Sequence, residues 1–285
     1  MISFIIVTYN SEKYIRECLN HILDAADIPY EIIVVDNDSK DSTRQIVKNE
    51  FKSVRLIESD KNLGYAYGVN TGVRNANKDI IFLLNPDARI LPSNLLDSIT
   101  YISSNHVGVL GPKVTNPHDA GRQFSARRFP TLRTGIFNKS SIFTSLIPNN
   151  KFSREYLNPI VSDDKLQQID WVSGCAMIFR KDVFNLIGGF DEDFFVFYED
   201  IDFCNRLNKT GYKVVYNPAV VVSHEIGISK TVPTIRINYE RHRGMWVYYL
   251  KHFQRNGLLD AIVVCGIILR FIVTSIKVLL KQVVR

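Results

Sequence analysis

Cysteine is scarce. The chain holds four (Cys18, Cys175, Cys204, Cys265) in 285 residues, none in a C-x-x-C pair and none beside histidines at zinc spacing. Neither a disulfide framework nor a zinc site is expected, and a reduced cytosolic setting fits best. A basic n-region and a small-residue cleavage site are also missing, because Met1 runs straight into the strand-like Ile2–Thr8; no secretory signal is expected. There is no internal repeat and no low-complexity segment. Neither G-x-G-x-x-G nor a P-loop occurs, which argues against a dinucleotide oxidoreductase or an ATPase. What is present is core-forming material: with 46% hydrophobic and 22% charged residues, one large α/β domain or two small ones is expected and disorder is excluded.

Negative charge is missing from one end only. The formal charge is +6, yet residues 236–285 carry nine Lys and Arg against Glu240 and Asp260, a local +7 that leaves about −1 for the rest. These cations are interleaved with aliphatic runs, so the tail suits a membrane surface better than nucleic acid.

Apolar runs alternate with helical stretches from the first residue. Strands are expected at Ile2–Thr8, 31–36, 54–59 and 79–84, and helices at 11–25, 41–51 and 64–76, with Ser11 as an N-cap. This β-α-β-α opening implies a parallel sheet whose carboxyl rim is where ligands bind. Residues 116–168 are rich in Asn, Ser, Arg and Pro and read as a long loop with short helices. Regular structure resumes with a strand at 171–179, helices at 180–187 and 201–210, and a strand at 214–224 interrupted by Pro218. Helices follow at 238–253 and 258–284. The second contains Asp260, Arg270 and Lys277, so its uncharged runs are shorter than the roughly 18–20 residues of a spanning helix. It reads as an interfacial helix with snorkelling cations, with a tilted span or an oligomer interface as the alternatives.

Three acidic clusters sit at element ends: Asp36-Asn37-Asp38, Asn85-Pro86-Asp87 and Glu199-Asp200-Ile201-Asp202. Each alone is equally a strand-end or helix-cap feature. Asp87 directly follows a buried strand, and Pro86 stiffens the turn. Asn85 and Asp87 can therefore offer oxygen ligands to a hard cation whose shell is completed by substrate phosphates. His224 ends a later strand and is a further ligand or a structural histidine. The segment Asn62-Leu63-Gly64-Tyr65-Ala66-Tyr67-Gly68 can bring backbone N–H groups near a phosphate. Residues 188–200 mix acids with aromatics, which makes either a sugar-binding surface or core plus caps; Asp202 looks like the latter.

In order, the stretches Ser3-Phe4-Ile5-Ile6-Val7-Thr8-Tyr9-Asn10, Val34-Val35-Asp36-Asn37-Asp38-Ser39, Asn62-Leu63-Gly64-Tyr65-Ala66, Leu83-Leu84-Asn85-Pro86-Asp87-Ala88, Trp171-Val172-Ser173-Gly174-Cys175-Ala176, Phe190-Asp191-Glu192 through Tyr198-Glu199-Asp200-Ile201-Asp202, and His224 resemble glycosyltransferase family two, in its rhamnosyltransferase-like branch. The resemblance implies an α/β fold of the GT-A type: a Rossmann-like, mostly parallel sheet flanked by helices, here followed by C-terminal amphipathic helices. It implies a catalytic domain over residues 1–235, with a nucleotide-binding half at about 1–115 and an acceptor-binding half at about 169–235, and then a membrane-associating tail at 236–285.

Carried over by position, Thr8, Tyr9, Asn10 and Asp36 hold nucleobase and ribose, and Asn62, Asn70 and Asn85 lie near the nucleotide. Asp87 binds Mg or Mn with help from His224. Asn85 departs from the family, many of whose members have Asp there, and lowers the charge of the site. Asp200 is the base in an inverting transfer, Glu199 orients the acceptor, and Trp171 and Gly174 line the acceptor or sugar pocket, with a core position as the other reading of Trp171. Arg127 and Arg128 meet a diphosphate or belong to a solvated loop.

The expected donor is a nucleotide-sugar, dTDP-rhamnose first, with UDP-hexose or UDP-galactofuranose as alternatives. The expected acceptor is a glycan or lipid-linked glycan in cell-surface polysaccharide synthesis. The setting is cytoplasmic, peripheral at the inner face of the membrane, without nucleic acid and with a homo-oligomer allowed. Arg243-Gly244-Met245-Trp246 fails the spacing of the Q-x-x-R-W motif of processive synthases, which favours transfer of single residues. A nucleotidyltransferase would carry a glycine-rich basic loop near the first strand, and none occurs. A non-catalytic nucleotide-sugar-binding scaffold remains as the reading in which Asp200 is dispensable.

Overall fold

The structure is a computed structural model that describes residues 1–118, 121–132, 164–225 and 234–283. Much of the stretch expected to form a loop with short helices lies outside the described residues. The opening half follows the expected alternation: β1 (Ile2–Thr8), α1 (Ile15–Ala25), β2 (Tyr30–Asp36), α2 (Thr43–Glu50), β3 (Arg55–Glu58), α3 (Tyr65–Asn75) and β4 (Ile80–Leu84). The strands run parallel in the order β3-β2-β1-β4. α1 starts later than the sequence suggests, because the Ser11 carbonyl accepts from the N–H groups of Tyr14 and Ile15 (both 3.0 Å) and its side chain does not cap.

Strand alternation assigns the two faces. Ile2, Phe4 and Ile6 pack with Ile15, Leu19 and Ile22 of α1, while Ile5 and Val7 pack with Val69 and Val73 of α3. A Cβ at Gly72 would lie 2.4 Å from Ile5 Cγ2. Glycine there lets α3 press onto the strands and fixes the loop before it against the sheet rim.

β5 (Ala88–Ile90), α4 (Leu95–Ser104) and β6 (Val107–Thr115) occupy a region left without elements in the sequence reading. The expected strand 171–179 is two strands. β9 (Trp171–Val172) pairs with β7 (Ala126–Arg127) in a separate ribbon, a turn follows at Gly174, and β10 (Ala176–Arg180) inserts antiparallel between β4 and β6. Then come α5 (Lys181–Leu186), α6 (Glu199–Asn208) and β11 (Lys213–His224), with β8 (Gln167–Ile169) on its flank. β11 shifts register between Asn217 and Val221, around Pro218, which has no N–H for the ladder. The full path is β3-β2-β1-β4-β10-β6-β11-β5, a mixed α/β sheet of the GT-A kind whose N-terminal part is parallel.

The tail is two different objects. α7 (Ile235–His252) is built into the domain: His252 Nε2 lies 2.7 Å from Asp202 Oδ1, Asn205 donates to the Tyr248 hydroxyl at 2.9 Å, and Arg243 donates to the Asp193 carbonyl at 2.6 Å. α8 (Gly257–Val283) leaves Leu258, Ile262, Leu269, Ile276 and Leu280 exposed. Its Gly257–Leu280 stretch of 24 residues has a mean hydropathy of 2.3 and is long and apolar enough to cross a membrane. The helix tolerates its charges because two of them face protein: Asp260 accepts from Tyr249 (2.7 Å) and Arg255 (3.1 Å), and Arg270 turns toward α7.

Candidate active site

Three strand ends make one rim. β4 delivers Asn85 and Asp87. β10 runs against β4 with Ala176 opposite Leu84, so the turn that precedes it lies over Asn85, whose N–H donates to the Cys175 carbonyl at 2.9 Å. β11 pairs antiparallel with β5, His224 opposite Ala88, which places the imidazole beside Asp87.

His224 Nε2 lies 3.2 Å from Asp87 Oδ1, yet it makes no hydrogen bond. The ion-pair distance and the missing hydrogen bond are compatible, because the approach is close but misdirected. Gln123 supplies the reason. Its amide Nε2 donates to the carbonyls of His224 (2.5 Å) and Thr115 (3.2 Å), which turns Oε1 toward His224 Nδ1 at 3.1 Å. Nδ1 therefore carries the proton, and Nε2 presents a lone pair to a carboxylate. Two acceptors in this position need a proton or a cation between them. An imidazole nitrogen beside a carboxylate fits a divalent metal whose shell substrate oxygens complete.

Beside this pair lie the acids that open α6. Asp200 is half-buried and accepts from the N–H of Gly174 (3.0 Å) and of Ile201 (2.8 Å). Burial pushes its pKa up, while the two N–H groups and the Arg127 guanidinium hold it down. Glu199 is 5% exposed, and its Oε2 has no partner. Burial, and then the Asp200 charge, raise its pKa well above the ordinary value. Tyr65 ties the acids to the metal side: its hydroxyl donates to the Gly174 carbonyl at 2.8 Å and lies 3.2 Å from Asn85 Oδ1. Burial first, and then the neighbouring acids, push the pKa of that hydroxyl well above its ordinary value.

The remaining candidates separate. Thr8, Tyr9, Asn10 and Asp36 meet at the ends of β1 and β2, but Asp36 is fully buried and its carboxylate is saturated. It accepts from Thr8 Oγ1 (2.8 Å), Ser39 N (2.9 Å), Ser39 Oγ (2.5 Å) and Arg44 Nε (2.5 Å). Four donors fill its lone pairs. So engaged, Asp36 and the Thr8 hydroxyl brace the loop. Its neighbour Asn37, inside a quoted motif but not singled out, is 3% exposed, donates to the Gly64 carbonyl at 2.8 Å and keeps Oδ1 without a partner.

Tyr9 is half exposed, and Asn10 Oδ1 accepts from Lys40 N at 2.8 Å. Asn62 Oδ1 accepts from Gly64 N at 3.0 Å. Asn70 does not reach the rim. It bonds both ways with Phe190 (2.8 and 2.9 Å) and donates to Glu192 (2.8 Å), on a cleft of about 610 Å³ that none of the rim acids lines. Trp171 is 6% exposed, and its indole N–H donates to the Arg128 carbonyl at 2.8 Å.

Residues 3–188 match glycosyl transferase family 2. The chain belongs to that family. Residues 166–233 of this glycosyltransferase also match the N-terminal domain of galactosyltransferase. It is 31% identical over 236 residues to rhamnosyltransferase WbbL of Escherichia coli K12, covering 79% of this chain and 83% of that protein. It is 29% identical over 231 residues to the N-acetylglucosaminyl-diphospho-decaprenol L-rhamnosyltransferase of Mycobacterium tuberculosis, covering 76% and 74%. Among solved structures, the mannosyltransferase PcManGT of Pyrobaculum calidifontis, in complex with GDP-Man and Mn2+, aligns with a TM-score of 0.59 at 19% identity, over 99% of this chain and 75% of that one. At that identity the likeness concerns the fold.

Gln123 is the site residue that sequence reading missed. It lies in a stretch without periodicity and acts on a residue 101 positions away, so no local signal marks it. Tyr65 and Asn37 sit inside quoted motifs.

Proposed function

We propose that this glycosyltransferase moves a single sugar, rhamnose from dTDP-rhamnose first among candidates, onto a hydroxyl of a lipid-linked glycan with inversion at the anomeric carbon. The observation that carries the reading is the joining of an unpaired Asp87/His224 acceptor pair to a raised-pKa Asp200 through Tyr65. The rhamnosyl specificity of the two relatives supports the donor. The match to the galactosyltransferase domain keeps a UDP-hexose or UDP-galactofuranose donor as the second reading.

Asp87 and His224 would hold the cation. Bound there, Mg or Mn neutralises charge on the departing diphosphate. Asp200, oriented by two backbone N–H groups, takes the proton of the acceptor hydroxyl as its oxygen forms the new bond to the anomeric carbon and the bond to the nucleoside diphosphate breaks. Glu199, protonated, donates a hydrogen bond to the acceptor and leaves Asp200 the charged partner. Tyr9 offers a ring for the base. Asn37 Oδ1 is a buried acceptor matched to the imide N–H of thymine or uracil. Asn62 and Asn85 line the nucleotide side. The basic, apolar α8 suits peripheral residence at the cytoplasmic face of a membrane.

The test is a panel of nucleotide-sugars assayed by calorimetry and transfer, with and without Mn, on wild type and Asp200→Asn. Metal-dependent binding of one donor that survives Asp200→Asn while transfer is lost supports the reading. If no donor binds under any metal condition, a non-catalytic scaffold takes its place.

A further inference from the structure

α8 is apolar for most of its length, and its stretch around Arg270 packs on α7, with the Phe271 ring 5.6 Å from that of His242 and Asn238 donating to Ser275 at 2.9 Å. Arg270 Nε is buried and has no hydrogen-bond partner. On the facing side of α7, His242 is 3% exposed; its Nδ1 lies 2.7 Å from the Asn238 carbonyl and so carries the proton, and its Nε2 is buried and unpaired. Arg241, one residue earlier, stacks on Phe197 with its guanidinium carbon 4.6 Å from the ring centre. No carboxylate among the described residues pairs with Arg241 or Arg270. The two acids of these helices are engaged elsewhere, Glu240 near Arg243 (4.0 Å) and Asp260 with Arg255 (3.1 Å).

Two cations and an imidazole so placed repel one another. Burial and Arg270 both lower the pKa of Arg241, and burial, Arg270 and Arg241 lower that of His242. Unpaired buried charge is costly unless a counter-ion completes it. The arrangement has unsatisfied polar nitrogens, planar guanidinium groups suited to phosphate oxygens, and a position at the junction of an apolar, exposed helix with the body. It also adjoins the acids: Phe197 is two residues before Glu199.

We propose that Arg241, Arg270 and His242 form a receptor for the diphosphate of a lipid-linked acceptor, held at the membrane surface beneath the acids of α6. The proposal rests on the lipid-linked acceptor of the preceding reading and adds the place where its charged linkage binds. Arg270 Nε–H and the Arg241 guanidinium donate to the phosphate oxygens, and the arriving negative charge lets His242 Nε2 take up a solvent proton and donate as well. The hydrocarbon chain then lies along the exposed face of α8.

The experiment is flotation of the full chain, without divalent cation, on three sets of vesicles: phosphatidylcholine alone, phosphatidylcholine with phosphatidylglycerol, and phosphatidylcholine with a long-chain polyprenyl diphosphate. Wild type should bind the diphosphate vesicles best, and the double variant Arg241→Gln/Arg270→Gln should lose at least about tenfold on those vesicles alone. Nucleotide-sugar binding by calorimetry should stay unchanged in that variant, so failure of the donor reading and failure of this receptor are read separately. Equal binding by wild type and variant overturns the receptor. Equal arginine dependence on phosphatidylglycerol overturns the diphosphate assignment in favour of bulk anionic headgroups. If the variant does not fold, dicarbonyl modification of wild-type arginines, mapped by mass spectrometry, takes its place. Protection of Arg241 and Arg270 by diphosphate vesicles but not by neutral ones supports the receptor, and equal labelling overturns it.

Discussion

His224 Nε2 and Asp87 Oδ1 face each other at 3.2 Å as two acceptors, because Gln123 holds the imidazole proton on the opposite nitrogen. In the proposed cation site, Gln123 therefore orients a ligand without touching the metal. Gln123→Leu should weaken Mn binding in the presence of nucleotide by about 10- to 100-fold, as for other ligand-orienting partners. Calorimetric titration measures it, and unchanged affinity would remove Gln123 from the site.

Asp200→Asn should keep donor affinity and lower turnover by roughly 10²- to 10⁴-fold, the usual worth of a general base. Glu199→Gln, replacing a group that is already neutral, should cost only a few-fold. Because burial raises the pKa of Asp200, the acid limb of turnover against pH should lie above the ordinary carboxylate range. A turnover series across pH on wild type and both variants reads these effects, the acid limb being read on wild type and on Glu199→Gln.

Glu199 also makes a stability statement. Its folded pKa is raised above the ordinary 4.5, so its favourable contribution is present below that value and is lost as pH rises through the folded pKa. Glu199→Gln should therefore melt higher than wild type on the alkaline side of the folded pKa and show no advantage in acid. Melting curves across pH test this; a constant difference at all pH values would contradict it.

Asn70→Ala removes three hydrogen bonds between α3 and the turn at Phe190. At about 1 kcal/mol each, it should cost roughly 3 kcal/mol of stability. Urea unfolding measures the loss, and donor affinity should not change, which separates a bridging role from a nucleotide contact.

Removing residues 257–285 should release the protein from vesicles while leaving it folded. Removing 236–285 should destabilise it as well, because Asp202 then loses His252, and Asn205 loses Tyr248. Flotation and thermal unfolding of the two truncations distinguish anchor from scaffold.

The elements with strong periodicity, β1 to β4 and their helices, were legible within a few residues, and so was the rim carrying Asp87 and Asp200. The reading stopped where the deciding partner is far along the chain. Nothing local says that Asp36 is filled by Thr8, Ser39 and Arg44, or that Asn70 is spent on Phe190. Residues 88–115 gave no clear period because β6 is buried on almost every residue and α4 is short. The break at Gly174 is invisible to hydropathy, since both flanking strands are apolar. The charge count in α8 did not show that Asp260 is engaged by Tyr249 and Arg255.

Phe197 and Tyr198 both take left-handed backbone angles (φ 70° and 74°), which cost non-glycine residues energy and persist only when surroundings enforce them. α7 enforces them. Arg241 and Tyr248 sit on the two rings, and Gly244 is so close that a Cβ would meet the Phe197 carbonyl at 3.1 Å. The helix that leads into α8 thus also holds the turn that opens α6. Gly244→Ala should therefore press on the Phe197–Tyr198 turn, and thermal unfolding reads what that costs.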